Sequence, residues 1–203
     1  MNAETIGMLS GLLVVISIIP YSIRTYQGKI QPNLTSWSLW SLIGLALLLT
    51  YKSSGAEANL WPAVFGFTNP TLITLLILKR RGEWTRPNNV EKSCIAFGIL
   101  SLVLWLGVYD KKELAQYALY LAIVADACAA IPTIVFVWTR PDGDRPFAWL
   151  LFALGWGLAI FAITDHTFAN YALPLWMIFG GSSVTVPLIW YRWKRRDPLM
   201  EWV

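Results

Sequence analysis

Apolar positions in this chain come in long uninterrupted blocks rather than at the period of a half-buried soluble helix or strand. Six runs, Ile6–Ile23, Leu34–Tyr51, Ala58–Leu78, Ser93–Tyr109, Phe147–Thr164 and Phe168–Tyr191, contain no Asp, Glu, Lys, Arg or His. A seventh, Leu114–Trp138, carries one charge, Asp126. Each approaches the roughly 17–25 residues that a helix needs to cross a bilayer core. Backbone groups in hydrocarbon must be satisfied within their own segment, so runs of this length read as helices. The pattern predicts an all-α integral membrane protein with seven transmembrane helices. The first run is expected to stay in place as a helix and not to be cleaved: Glu4 precedes it, no basic segment does, and Arg24 follows it.

Charge refines this picture. Only 14% of the 203 residues are charged, against about 25% in an ordinary soluble domain. The basic ones collect at alternate ends of the runs: Arg24 and Lys29, then Lys79, Arg80, Arg81, Arg86 and Lys92, then Arg140 and Arg145, then Arg192, Lys194, Arg195 and Arg196. The other side has Lys52, Lys111 and Lys112 against Glu57, Asp110 and Glu113. By the positive-inside rule the N-terminus lies outside and the C-terminus in the cytoplasm. The absence of retrieval or lipidation signals fits a bacterial inner membrane. The net charge of +4 is therefore assigned to lipid headgroups of the bilayer and not to nucleic acid.

The chain also repeats itself. Pro20 and Pro132 stand 132 − 20 = 112 residues apart, and the same offset relates Trp37 to Trp149, Pro62 to Pro174 and Arg80 to Arg192. The halves are three helices each, residues 1–83 and 113–203, the second with a basic tail. A linker helix, residues 84–112, joins them. An odd linker gives both triplets one orientation, a parallel repeat of 3+1+3 plan.

That plan, with a proline late in the first helix of each triplet (Pro20-Tyr21 and Pro132-Thr133), resembles the SWEET and PQ-loop transporter superfamily over nearly the whole chain. Neither pair reads Pro-Gln, so the resemblance is to a distant branch. It implies a transporter or facilitator of a small polar solute, of the sugar, amino acid or vitamin class, working by alternating access. Pro20 and Pro132 would then be hinges, since proline removes a helical hydrogen bond and crowds the preceding turn. A static kink is the competing reading.

Several residues could carry solute. Asp126 is the only ionisable residue deep in a run, and such residues face the bundle interior or a wet cavity. It is either a substrate and proton-coupling site or a carboxyl that joins two helices. Its repeat counterpart is Val14. Asn69, before Pro70, resembles by position the sugar-contacting residue of SWEET proteins, or else bonds a carbonyl freed by Pro70 or glues two helices together. Its counterpart Gly181 departs from that pattern. Gly181 and Ser182 belong to the small stretch Gly180–Ser183, which either lines a substrate cavity or lets helices approach closely. Among the 12 tryptophans, Trp37, Trp61, Trp138, Trp190 and Trp193 read as interfacial anchors. Trp156 and Trp176 lie deeper, and Trp156 resembles the aromatic that stacks on sugar.

No phosphate loop, paired histidines or nucleophile with a base points to an enzyme. Cys94 and Cys128 form neither a disulfide framework nor a metal motif. His166 beside Asp165 reads as a solvated loop residue, and no cofactor or metal is expected. The partners expected are a small-molecule solute and the bilayer, with homo-oligomerisation left open. The alternative function is a non-transporting seven-helix receptor or sensor, or a subunit of a membrane complex.

Overall fold

The computed structural model describes residues 1–28, 33–80, 84 and 86–202. Lys29 and Arg81 of the basic loops lie outside the described residues. Helix α1 (Ala3–Ser17) is followed after one residue by α2 (Ile19–Tyr26), so the first apolar run forms a broken span. The others are α3 (Leu34–Ser53), α4 (Trp61–Lys79), α5 (Asn89–Val108), α6 (Lys112–Thr139), α7 (Pro146–Ala159) and α8 (Phe168–Arg195). No strand occurs among the described residues.

Local sequence sets the ends. Asn2, Asn33 and Asn88 each accept a hydrogen bond from a backbone N–H of the first helical turn, and Glu91 completes a capping box with Asn88. Pro62 and Pro146 stand in the first turns of α4 and α7, where the missing N–H costs nothing. Among the described residues six helical segments are long and apolar enough to cross a membrane. The segment from Pro146 through the 3-10 turn Ile160–Ala162 is a shorter apolar one. The protein is therefore an all-helical integral membrane protein by length and composition.

Helix contacts close into a ring. Helix α4 packs against both α1 and α3, and α8 against both α6 and α7. Between these sets, α1 packs on α7 and α3 on α6, while α5 lies against α3 and α6. Lipid gives apolar helices no reason to prefer one another, so close approach through small residues supplies the contact. A Cβ at Gly44 would stand 2.8 Å from Gly66 O and 2.9 Å from Phe67 Cα, which sets the approach of α3 to α4. One at Gly155 would stand 2.8 Å from Ser10 O, which sets that of α7 to α1.

The core is unevenly shared. One cluster, including Val14, Ile43, Ala122, Trp156 and Leu173, draws on both sets of helices. Two smaller clusters lie toward the end where the basic residues collect. Leu34, Ile73 and Ile77 with Trp37 belong to α3 and α4, and Val137, Val184 and Leu188 with Trp149 to α6, α7 and α8. At the opposite end, polar groups bridge the two sets. Tyr51 Oη donates to Asn170 O at 2.8 Å, and Asn170 Nδ2 donates to Gly55 O at 3.4 Å. Asn170 Nδ2 also donates to Asp165 O at 2.8 Å, and Asp165 pairs with Lys112.

Candidate solute site within the bundle

The site begins with what Pro20 does to α1. In a continuous helix the N–H of Ile18 would reach Val14 O, four residues back. Here the helix breaks at Ile18, whose N–H bonds Ile16 O instead. The freed carbonyl of Val14 needs other donors in a dry interior. Ser17 Oγ supplies one at 2.6 Å, and Asn69 Nδ2 the other at 2.9 Å from the middle of α4. Asn69 thus bonds a carbonyl left free by the break at Ile18 and joins α4 to α1, and it does not serve a carbonyl freed by its own Pro70.

Helix α6 behaves differently. Pro132 lies inside a helix that runs unbroken from Lys112 to Thr139. The cross-helix bond at this level is made by a side chain: Trp176 Nε1 of α8 donates to Asp126 Oδ2 at 2.7 Å. Ala122 and Ala125, one turn before Asp126 and beside it, are fully buried, so the carboxylate sits against the packed side of α6.

Trp156 is 1% exposed, the largest fully buried side chain among the described residues. Its ring lies against α4, where a Cβ on Gly66 would come 3.9 Å from Trp156 Cζ2, and makes an edge contact with Phe152. Its indole N–H has no hydrogen-bond partner. A buried donor left unpaired costs about 1–3 kcal/mol, which a ligand acceptor or a water would recover. Gly155, its neighbour, touches Val14, so Asn69, Val14 and Trp156 gather where α1, α4 and α7 meet. Asp126 and Trp176 form a second polar point between α6 and α8.

Gly181 is a packing residue: a Cβ there would meet Ala153 Cβ and Phe152 Cδ1 at 3.2 Å. Ser182 is half-buried beside it. His166 Nδ1 lies 2.7 Å from Tyr171 Oη on an exposed loop. Cys94 and Cys128 are free, and among the described residues no group of His, Cys, Asp or Glu could hold a metal ion.

Two features escaped the sequence reading. The bridge of Tyr51 and Asn170, to which Asn59 Nδ2 adds a bond to Tyr51 Oη at 2.5 Å, was hidden because these residues stand at the ends of apolar runs, though two asparagines there are a usable signal. The second is an arginine clasp at each basic end. Arg80 Nη1 donates to Tyr26 O. Arg192, 1% exposed, donates to Pro141 O at 3.2 Å, Leu188 O at 3.4 Å and Asp144 O. Asp144 in turn accepts from Arg145 N at 2.7 Å and Trp149 Nε1 at 3.0 Å. Burial holds its carboxyl above the ordinary range, against those two bonds and the charges of Arg192 and Arg145.

No protein-family model, no curated protein and no solved structure matches this chain.

Proposed function

We propose that this chain is a membrane transporter or facilitator of a small polar solute, built as two parallel three-helix units joined by a linker helix. The observation that carries the reading is the division of the core. The two helix sets share one apolar cluster over the middle and one end, yet keep separate clusters at the other. Two bodies joined in this way can rock about the shared part, with the basic end free to part and the polar bridge at Tyr51 and Asn170 holding the opposite end.

The repeat supports it. Under the 112-residue shift Pro20, just past the break at Ile18, maps onto Pro132, and Val14 maps onto Asp126. Both positions are tied to the third helix of their own triplet, one through its carbonyl and the other through its carboxylate. Arg80 and Arg192 both clasp the segment that follows the first helix of their triplet. Trp37 meets Trp40 edge-on as Trp149 meets Phe152.

In this reading solute sits on the shared cluster. It accepts from the Trp156 indole and exchanges hydrogen bonds with Asn69 on one side and with Asp126 and Trp176 on the other, near Ser182. Asp126 is the residue for proton coupling, Pro20 is the hinge of the first unit, and Pro132 bends within a continuous helix. The N-terminus lies outside and the C-terminus inside. The test is uptake of sugars, amino acids and vitamins into proteoliposomes, with Asp126→Asn and Trp156→Phe in parallel. Uptake of one class, weakened by Trp156→Phe and made pH-independent by Asp126→Asn, is expected. Saturable binding without flux would replace transport with a receptor role.

A further inference from the structure

At its basic end α8 opens into a groove of about 680 Å³, walled by Trp190, Trp193 and Trp202 and carrying Lys194 and Arg196. Nothing in the transport reading uses it. The groove continues a lipid-facing stripe. Phe179, Val186, Trp190 and Trp193 are all more than half exposed and follow at spacings of seven, four and three residues, one face of the helix. Tryptophans at the end of such a stripe sit at headgroup depth.

The charges in the groove are unbalanced. Asp197 is met by Arg195 Nε at 3.4 Å, and Arg195 is further held by Tyr191 Oη at 2.6 Å. Among the described residues neither Lys194 nor Arg196 has an ion-pair partner. The backbone adds a second observation. Arg196 has φ 57° and is the only described non-glycine residue with positive φ. Its N–H bonds Trp193 O and that of Asp197 bonds Arg192 O, the paired bonds that close a helix through a left-handed residue. Glycine is the usual occupant of that position because it meets no steric penalty there. An arginine held there against its preference points to a role for the guanidinium. The tail folds back over the groove, with Trp202 Nε1 donating to Asp197 O at 3.4 Å.

We propose that this groove binds the phosphate of an anionic phospholipid, with Lys194 and Arg196 on the headgroup, the tryptophans around the glycerol region and an acyl chain along the α8 stripe. A zwitterionic lipid would bring its own cation against two unpaired ones, so the preference is for a net negative headgroup.

The experiment is native mass spectrometry of the full chain released from micelles doped with phosphatidylglycerol or phosphatidylcholine. Wild type is expected to retain phosphatidylglycerol selectively, and Lys194→Gln/Arg196→Gln to retain it more weakly by a factor on the order of 30, about five- to sixfold per cation. Arg86→Gln/Lys92→Gln removes the same charge elsewhere and is expected to leave retention unchanged. Arg196→Gly alone keeps the backbone at ease and removes one cation, so a loss of about fivefold there cannot be blamed on misfolding. Equal losses in both double variants, or none in either, would overturn the site in favour of a diffuse basic surface. Displacement of the lipid by millimolar inorganic phosphate would also overturn it, since the groove would then take free phosphate.

Discussion

Replacing Gly155 by alanine tests the contact on which the ring of helices depends. The new Cβ would stand 2.7 Å from Val14 Cγ2 and 2.8 Å from Ser10 O, where ordinary contact begins at 3.4 Å. The shortfalls are 3.4 − 2.7 = 0.7 Å and 3.4 − 2.8 = 0.6 Å. A valine methyl can turn aside, but Ser10 O is backbone, so α1 itself must withdraw from α7. Overpacking of this kind costs about 1–3 kcal/mol, and alanine's helix preference over glycine returns about 0.5–1, leaving a net loss of up to about 2.5 kcal/mol. Gly157, two residues along α7, has nothing within 4 Å of its own Cβ position. Gly157→Ala should therefore show the propensity gain alone. For a chain of this size 1 kcal/mol moves Tm by about 2–4 °C, so Gly155→Ala should melt below the parent by up to about 10 °C and Gly157→Ala about 1–4 °C above it. Thermal melts in one detergent at one scan rate read both. If Gly155→Ala melts at or above the parent, α1 and α7 do not meet as described, and the shared core fails with them.

Two further outcomes follow from hydrogen bonds already described. Asn69→Leu should cost about 0.6 kcal/mol and at most about 1.7, the range for one interhelical bond in a bilayer. Combined with Ser17→Ala it should cost more than the sum of the two singles, because Val14 O then loses both donors; a double-mutant cycle by reversible unfolding measures the excess. Asp144 supplies a pH dependence. Its folded pKa is raised, so the stability it contributes is complete below about pH 3.9, the unfolded value, and is lost as pH rises through the folded one. Asp144→Asn keeps an acceptor for Trp149, so its stability relative to wild type should rise over that window and then level off; a relative stability that falls with rising pH would reverse the sign.

The spans were legible because bilayer crossing imposes a length and an apolarity that seven runs display openly, and the observed helices follow those runs to within a few residues. The shortest span, Pro146–Ala162, is also where Asp165 and His166 cut the apolar run. What two prolines do was less legible. Pro20 and Pro132 remove the same bond and crowd the same turn, yet only the first coincides with a break. The physical difference lies in Ser17 at the end of α1 and Asn69 on α4, whose donors satisfy the carbonyl that the break leaves free. Asp126 stood out as a lone charge, whereas its partner did not: which of 12 tryptophans reaches a carboxylate fifty residues away is set by the rotation of α8 about its own axis. Gly181 read first as packing and second as cavity lining, and the 3.2 Å approach to Ala153 fits the first.

The arginine clasps bear on how the chain comes off the ribosome. Arg80 and Arg192 hold carbonyls that were synthesised some fifty residues earlier. Each set of packed helices therefore stays unfastened at its basic end until almost its last residue has emerged, and the first clasp can shut while the later helices are still being made. Assembly in this order lets the leading helices offer α1 and α3 as finished surfaces to α7 and α6 when these arrive, as domains that fold in order of synthesis do. A chain stalled just before Arg192 would hold one fastened unit and one open one.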